Sequence, residues 1–171
     1  MLEGIGVQKT VEILGNKYKV NTSNYQTIIR LKDEYFRRNY TFTVYDGVHE
    51  LIRSLKDRKI KTGLVTGASK YRILESVPKN FISQFTVLIT SDDIAHTKPD
   101  SEPYIKAANL LNVEPEDCVV LENAPLGIQA GKAAGMFVIA LKSTLSECHL
   151  SNADLILESI MDLLKLIKIN K

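Results

Sequence analysis

A repeated alternation of short apolar runs with longer amphipathic segments, beginning near residue 41, is the feature that most constrains the fold. The runs 119–121 and 137–141 are typical of buried strands, and the segments 48–55 and 102–111 carry apolar side chains at helical spacing. Strands that alternate with helices form parallel sheets covered by helices on both faces. We therefore predict an α/β fold with a three-layer, Rossmann-like parallel sheet.

The first forty residues follow a different pattern. They are polar, with helical spacing of apolar residues on either side of a turn-rich stretch at 15–24, which predicts two helices. The remaining predicted helices are 48–55, 71–77, 102–111, 125–134 and 160–169, and the predicted strands are 62–66, 87–90, 119–121, 137–141 and 153–157. We expect a small helical part at 1–42 and an α/β core at 43–171.

Composition excludes several classes of protein. The chain has 171 residues, 44% of them hydrophobic, which suits one packed domain. Its net charge of +2 (22 − 20) is too weak to indicate nucleic-acid binding, and no apolar run approaches the roughly 18 residues of a membrane span. No secretory leader is visible, and Cys118 and Cys148 form no C-x-x-C pair. We expect a cytoplasmic protein without nucleic-acid or membrane partners.

Residues that can bind a ligand, through a side chain or a backbone amide, follow three of the predicted strands. They are Thr66, Gly67 and Ala68 after the first strand, Lys98 after the second, and Glu122 and Asn123 after the third. In open α/β sheets, ligands bind beyond the carboxyl ends of the strands. A hydroxyl beside helix N-terminal amides suits phosphate, and clustered oxygen donors suit a hard cation. Together with an ammonium group, these are the groups that phosphoryl transfer needs.

Each of these residues also has a simpler interpretation. Thr66 and Ser69 would serve as helix caps, Asn123 as another cap, and Lys98 as a solvated surface lysine. The functional interpretation is favoured because the groups occur jointly, in this order, each at the end of a strand.

Three segments resemble the haloacid dehalogenase superfamily of phosphatases and phosphomutases, in the branch of β-phosphoglucomutase. They are LVTGASK (64–70), TKPDSEPYIKAANLL (97–111) and VVLENAPLGIQAGKAAGM (119–136). The resemblance covers roughly residues 3 to 165. It implies that 1–42 is a remnant of a helical cap, and that the substrate is a small phosphorylated metabolite.

The resemblance also implies roles for individual residues. Thr66, with the Gly67 amide and Ala68, would hold the phosphoryl group, and Lys98 would neutralise its charge. Thr66 and Lys98 would thus be the catalytic residues on this chain. Glu122 and Asn123 would anchor Mg²⁺ directly or through water, although Asn123 removes a charge that the family often has there.

The largest departure from the family is the absence of its D-x-D-G motif. The family's first strand ends in this motif, whose first Asp is the nucleophile and whose second is the general acid and base. No D-x-D occurs in the sequence, and the nearest imitation, Asp46-Gly47, has Val44 two residues before the aspartate. We expect the chain to be inactive or nearly so, and to bind only phosphate or Mg²⁺.

Two further functions are open at this point. A receiver-like phosphoacceptor domain also uses a hydroxyl residue and a Lys-Pro pair at strand ends. It needs an acidic cluster before the hydroxyl, however, and no pair of aspartates at a strand end precedes Thr66 here. The other alternative is a decayed structural or interaction module retained for a partner.

The family's missing strand would lie at the centre of the sheet, and an empty slot would expose two unpaired edges. We expect the slot to be closed directly, by a second copy in a homo-oligomer, or by a local segment. The local candidate is the strand-prone run 40–45, which the resemblance interprets instead as a linker returning from the cap. As a central strand, this run would place Asp46 at the site as a substitute carboxylate.

Overall fold

The computed structural model describes residues 7–169 and contains a helical hairpin followed by an α/β core. The helices are α1 (Val7–Lys17), α2 (Tyr25–Asn39), α3 (Val48–Asp57), α4 (Lys70–Ser76), α5 (Lys79–Ile82), α6 (Glu102–Leu111), α7 (Pro125–Ala133) and α8 (Ile160–Ile169). The strands are β1 (Gly63–Val65), β2 (Val87–Ile89), β3 (Val119–Glu122), β4 (Phe137–Leu141) and β5 (Leu155–Leu157). Residues 1–6 of the predicted cap lie outside the described part.

The strands form two parallel sheets. One pairs β1 with β2 in the register Leu64 to Leu88. The other has the order β3-β4-β5, with Val120 opposite Val138 and Ala140 opposite Ile156. Within the described residues, β1 and β3 pair on one side only, so each has a free edge.

The two sheets share one hydrophobic core despite this gap in pairing. Val120 and Val138 are buried in a cluster that includes Tyr104 of α6, and Val65 of β1 packs against the same cluster. Helix α7 lies close to the sheet because Gly131 has no side chain, and a Cβ at that position would stand 2.8 Å from Val138. The core thus fixes the end of β1 relative to β3.

A second cluster covers the other face of the sheet. Leu141 of β4 is buried against Leu51 of α3 and against Ile160 and Leu164 of α8. Helices therefore lie on both faces, which confirms the predicted three-layer α/β fold. Apolar side chains beside the free edge of β3 are less covered, since Val119 is 62% exposed.

The run 40–45 forms no strand, so its placement in the central slot is wrong. Its alternation explains the result, because Thr41, Thr43 and Tyr45 make one face too polar for a strand buried on both sides, and all three are exposed. Phe42 packs edge-to-face on Phe81, with ring centroids 5.1 Å apart. Asp46 lies in an exposed turn before α3.

The helical hairpin is joined to the core by two ion pairs between α2 and α4. Arg72 pairs with Asp33, and Arg37 Nε lies 3.2 Å from Glu75 Oε2. The Arg72 guanidinium also lies 4.6 Å from the ring centroid of Phe36. The division of the chain at residue 42 stays a prediction. None of the helices between residues 7 and 169 has the length and hydropathy of a membrane span.

Candidate functional site

The centre of the candidate site is an ion pair between Lys98 and Glu122. Glu122 is the last residue of β3, and Lys98 lies in the loop that precedes α6. Lys98 Nζ is 2.5 Å from Glu122 Oε1, and the two side chains are only 12% and 10% exposed. The structure therefore contradicts the interpretation of Lys98 as a solvated surface lysine.

Four hydrogen bonds saturate the Glu122 carboxylate. Oε1 accepts from Lys98 Nζ and from the Tyr104 hydroxyl, the latter at 2.8 Å. Oε2 accepts from the backbone N–H groups of Asn123 and Ala124, at 2.9 and 3.2 Å. A carboxylate offers about four lone-pair positions, so all of them are occupied here.

Gly127 gives this carboxylate its space. A Cβ on Gly127 would stand 2.0 Å from Glu122 Oε1 and 2.1 Å from Cδ. The carboxylate therefore packs directly against the first turn of α7, where only glycine leaves room for it.

The surroundings shift the pKa values of the Glu122 carboxyl and the Tyr104 hydroxyl in opposite directions. Burial raises the pKa of Glu122, but the Lys98 ammonium and the hydrogen bonds from Lys98, Tyr104 and the Asn123 amide outweigh it, so the pKa lies below its usual value. Burial, followed by the nearby Glu122 charge, raises the pKa of Tyr104. Glu122 is thus an anion and Tyr104 a neutral donor at neutral pH.

The turn after β1 has open space beside it and contains one hydrogen bond between its own residues. Thr66 Oγ1 accepts from the backbone N–H of Ala68 at 3.2 Å. Ser69 caps α4, since its Oγ accepts from Arg72 N at 3.3 Å. A Cβ on Gly67 would meet nothing within 4 Å, so the turn has free space beside it. The prediction of a cap is confirmed for Ser69.

The two aspartates after β2, Asp92 and Asp93, accept hydrogen bonds from backbone N–H groups. Asp93 accepts from the backbone N–H and the hydroxyl of Thr90, at 2.8 and 2.6 Å, and Thr90 is fully buried. Asp92 Oδ2 accepts from the backbone N–H of Lys70 at 3.0 Å. These contacts connect the end of β2 to the turn after β1.

Asn123 does not cap α7, so that interpretation is wrong. The capping residue is Ala124, and Asn123 Nδ2 donates to Thr144 Oγ1 at 3.2 Å. Of the two expected Mg²⁺ ligands, Glu122 has no unoccupied lone pair, and no group of three or more His, Cys, Asp or Glu in the described residues could hold a metal. Direct coordination of Mg²⁺ by Glu122 therefore requires one of its hydrogen bonds to break.

The structure brings some of the predicted residues together and not others. Lys98, Glu122 and Asn123 form one connected group, whereas no hydrogen bond or ion pair within residues 7–169 links Thr66 or Asp46 to it. Sequence reasoning missed Tyr104 and Gly127. Their only sequence signals are a tyrosine in the first turn of α6, six residues after the lysine, and a glycine inside a predicted helix.

Comparisons with known proteins identify relatives whose names include a phosphatase and a phosphoglucomutase. The profile of the haloacid dehalogenase-like hydrolase family matches residues 2–141. Validoxylamine A 7′-phosphate phosphatase of Streptomyces hygroscopicus subsp. limoneus is 37% identical over 118 residues, which is 68% of this chain and 55% of that protein. β-Phosphoglucomutase of Bacillus subtilis is 28% identical over 153 residues, which is 82% of this chain and 65% of that enzyme.

A solved structure matches nearly the whole chain. A Bacteroides vulgatus protein assigned as a β-phosphoglucomutase superposes with a TM-score of 0.84 at 30% identity, and the match covers 98% of this chain and 71% of that one. The chain thus spans about half the length of the Streptomyces relative and under three quarters of the solved protein. Because the family profile covers most of the sequence, the chain belongs to the haloacid dehalogenase-like hydrolase family.

Proposed function

We propose that this chain forms the phosphate-binding core of a phosphatase or phosphomutase that acts on small phosphorylated metabolites. Thr66, the Gly67 amide and Ala68 hold the phosphoryl group, and Lys98 neutralises its charge. The relatives whose names include a phosphatase or a phosphoglucomutase support this substrate class.

The single observation that carries the proposal is the buried ammonium of Lys98, which is paired with Glu122. An ammonium group has three N–H donors, and Glu122 takes one of them in the described structure. The others are left for an anion at the ends of the strands. The Lys98 side chain is only 12% exposed. Its ammonium attracts phosphate more strongly than one in open water, because the surroundings screen its charge less.

We propose binding without turnover for the 171-residue chain by itself. The sequence contains no D-x-D, so it offers no aspartate nucleophile with a partner two residues on. Phosphatases and mutases of this superfamily generally use Mg²⁺. Since Glu122 is saturated here, Mg²⁺ binding at Asn123 and Glu122 requires further ligands, and phosphate binding is the activity we expect first.

Calorimetric titration with inorganic phosphate tests the proposal. We expect saturable binding that weakens about tenfold in Lys98→Met, which keeps most of the side-chain length but not the charge. Lys32→Met, at an exposed position on α2, is the matched control and leaves the affinity unchanged. Thr66→Ala gives a second variant if Lys98→Met unfolds. Equal phosphate affinity in wild type, Lys98→Met and Thr66→Ala would refute phosphate binding at this site.

An activity assay tests the second part of the proposal. With p-nitrophenyl phosphate, sugar phosphates and Mg²⁺, we expect no turnover above background. Turnover that Lys98→Met abolishes would overturn the expectation, because it would place the chemistry at this site.

We further propose a second copy of the chain as the partner for the free edges of β1 and β3. An unpaired parallel strand bordered by exposed apolar side chains favours association with another chain. Val119 and Leu121, at 62% and 38% exposure, lie beside the free edge of β3. This is also the observation that favours the alternative function, an interaction module.

A further inference from the structure

Tyr104 lies in the segment 97–111, but the sequence alone predicts no role for it in the site. It lies in the first turn of α6 and is only 7% exposed. Its hydroxyl donates to Glu122 Oε1 at 2.8 Å, the same oxygen that accepts from Lys98 Nζ. Its ring lies beneath the ammonium, with Lys98 Nζ 4.8 Å from the ring centroid.

The ring and the hydroxyl of Tyr104 do different things. The ring packs in the core cluster with Ala108, Val120 and Ile128, a contact that phenylalanine would make equally well. The hydroxyl is a polar group in that apolar cluster and needs a partner. That partner is the Glu122 carboxylate, so the hydroxyl acts on the charged pair and not on packing.

With the Tyr104 hydroxyl, both oxygens of the Glu122 carboxylate are hydrogen-bonded to fixed parts of the fold. The backbone N–H groups of Asn123 and Ala124 hold Oε2 from the start of α7, and Tyr104 holds Oε1 from α6. With both oxygens held, the carboxylate cannot rotate or swing away. Lys98 therefore meets an anion in a fixed position, and its long flexible side chain is confined to one arrangement.

We propose that Tyr104 is a positioning residue for Lys98, acting through the oxygen of Glu122 that they share. The hydroxyl holds the carboxylate, the carboxylate holds the ammonium, and the ring closes the space beneath it. This inference deepens the proposed function, because the ammonium held in this way is the one that we propose meets phosphate.

The variant Tyr104→Phe separates the hydroxyl from the ring. It keeps the packing of α6 but leaves Glu122 Oε1 with Lys98 alone, so the carboxylate is held firmly on one side only. We expect phosphate affinity to fall about tenfold, the effect of losing one hydrogen bond to a charged group. Tyr35→Phe is the matched control, since Tyr35 is 72% exposed on α2, and it leaves the affinity unchanged.

A spectroscopic measurement reads the position of the ammonium directly. In wild type, a Lys98 ¹⁵Nζ–¹H resonance protected from solvent exchange at low temperature is expected, because the group is buried and hydrogen-bonded. In Tyr104→Phe we expect this resonance to broaden or vanish while circular dichroism stays that of wild type. Loss of packing alone would not produce this pattern, and Tyr104→Leu, which removes the ring as well, shows the cost of packing.

The outcomes separate this inference from the proposed function. Loss of the Lys98 resonance in Tyr104→Phe supports the positioning role, even if wild type binds no phosphate and the proposed function fails. A resonance and a phosphate affinity unchanged in Tyr104→Phe but lost in Tyr104→Leu would overturn it, since only the ring would then matter. If Tyr104→Phe does not fold, the same question is answered by nuclear magnetic resonance of the wild-type protein. A Tyr104 hydroxyl proton that exchanges rapidly with solvent and shows no nuclear Overhauser contact to the Lys98 ammonium would also overturn the positioning role.

Discussion

Gly127→Ala is the substitution for which the structure gives the sharpest expectation. Glycine to alanine inside a helix ordinarily stabilises a protein by about 0.5–1 kcal/mol. In α7 the new Cβ would stand 2.0 Å from Glu122 Oε1 and 2.6 Å from Oε2. Neither distance is tolerable, so the carboxylate must leave its position and give up its contacts with Lys98 and Tyr104.

The magnitude follows from those contacts. Breaking a buried ion pair by removing one partner costs about 3–5 kcal/mol. The gain from replacing glycine in a helix returns at most about 1 kcal/mol. We therefore expect Gly127→Ala to lower the free energy of unfolding by about 2–4 kcal/mol, a change opposite in sign to the usual effect.

Urea denaturation of a double-mutant cycle measures this effect. Glu122→Ala removes the group that the new methyl strikes, so Gly127→Ala should be neutral or stabilising by about 0.5–1 kcal/mol in that background. A stabilising Gly127→Ala in the wild-type background, or the same loss with and without Glu122, would refute the reasoning.

Two further predictions concern pH and association. The pKa of Glu122 is lowered by folding, so its ionised form stabilises the protein above the usual pKa of 4.5, and this stabilisation is lost as the pH falls through the lower folded value. The stability advantage of wild type over Glu122→Gln, measured in urea, should shrink as the pH drops below 4.5; an advantage independent of pH would contradict this assignment. For association, light scattering of the wild-type protein should show a molar mass that rises with its concentration. The Val119→Lys variant should keep the mass of a monomer at every concentration. Leu31→Lys, at a 52% exposed position on α2, is the control, and a monomeric wild type at high concentration would contradict the second-copy partner.

Local sequence chemistry was sufficient to predict most of the core. The helix expected at 125–134 begins at Pro125 and ends at Ala133, and Gly135 follows with a φ of 76°. Proline at a helix start and glycine after its end are local preferences, which explains why these boundaries were predictable. The run 40–45 shows the limit: its strand propensity is real, but which neighbours it meets depends on the whole chain.

The site was predictable only in part for the same reason. Lys98 and Glu122 follow strands predicted from the sequence, and strand ends meet at one edge of a sheet, so sequence position alone suggested them. Tyr104 and Gly127 act through contacts 18 and 5 residues away from Glu122, across two helices. Nothing in a single sequence records that a tyrosine hydroxyl and the absence of a methyl group converge on one carboxylate.

Arg72 connects the helical hairpin to the turn after β1. Its side chain is paired with Asp33 on α2, and its backbone N–H is the donor that Ser69 Oγ accepts at the start of α4. A shift of α2 that keeps the ion pair must carry Arg72 with it and pull on the residue that closes the turn after β1. The position of the hairpin and the shape of the turn are therefore coupled through Arg72, while the Arg37–Glu75 pair joins the same two helices further along.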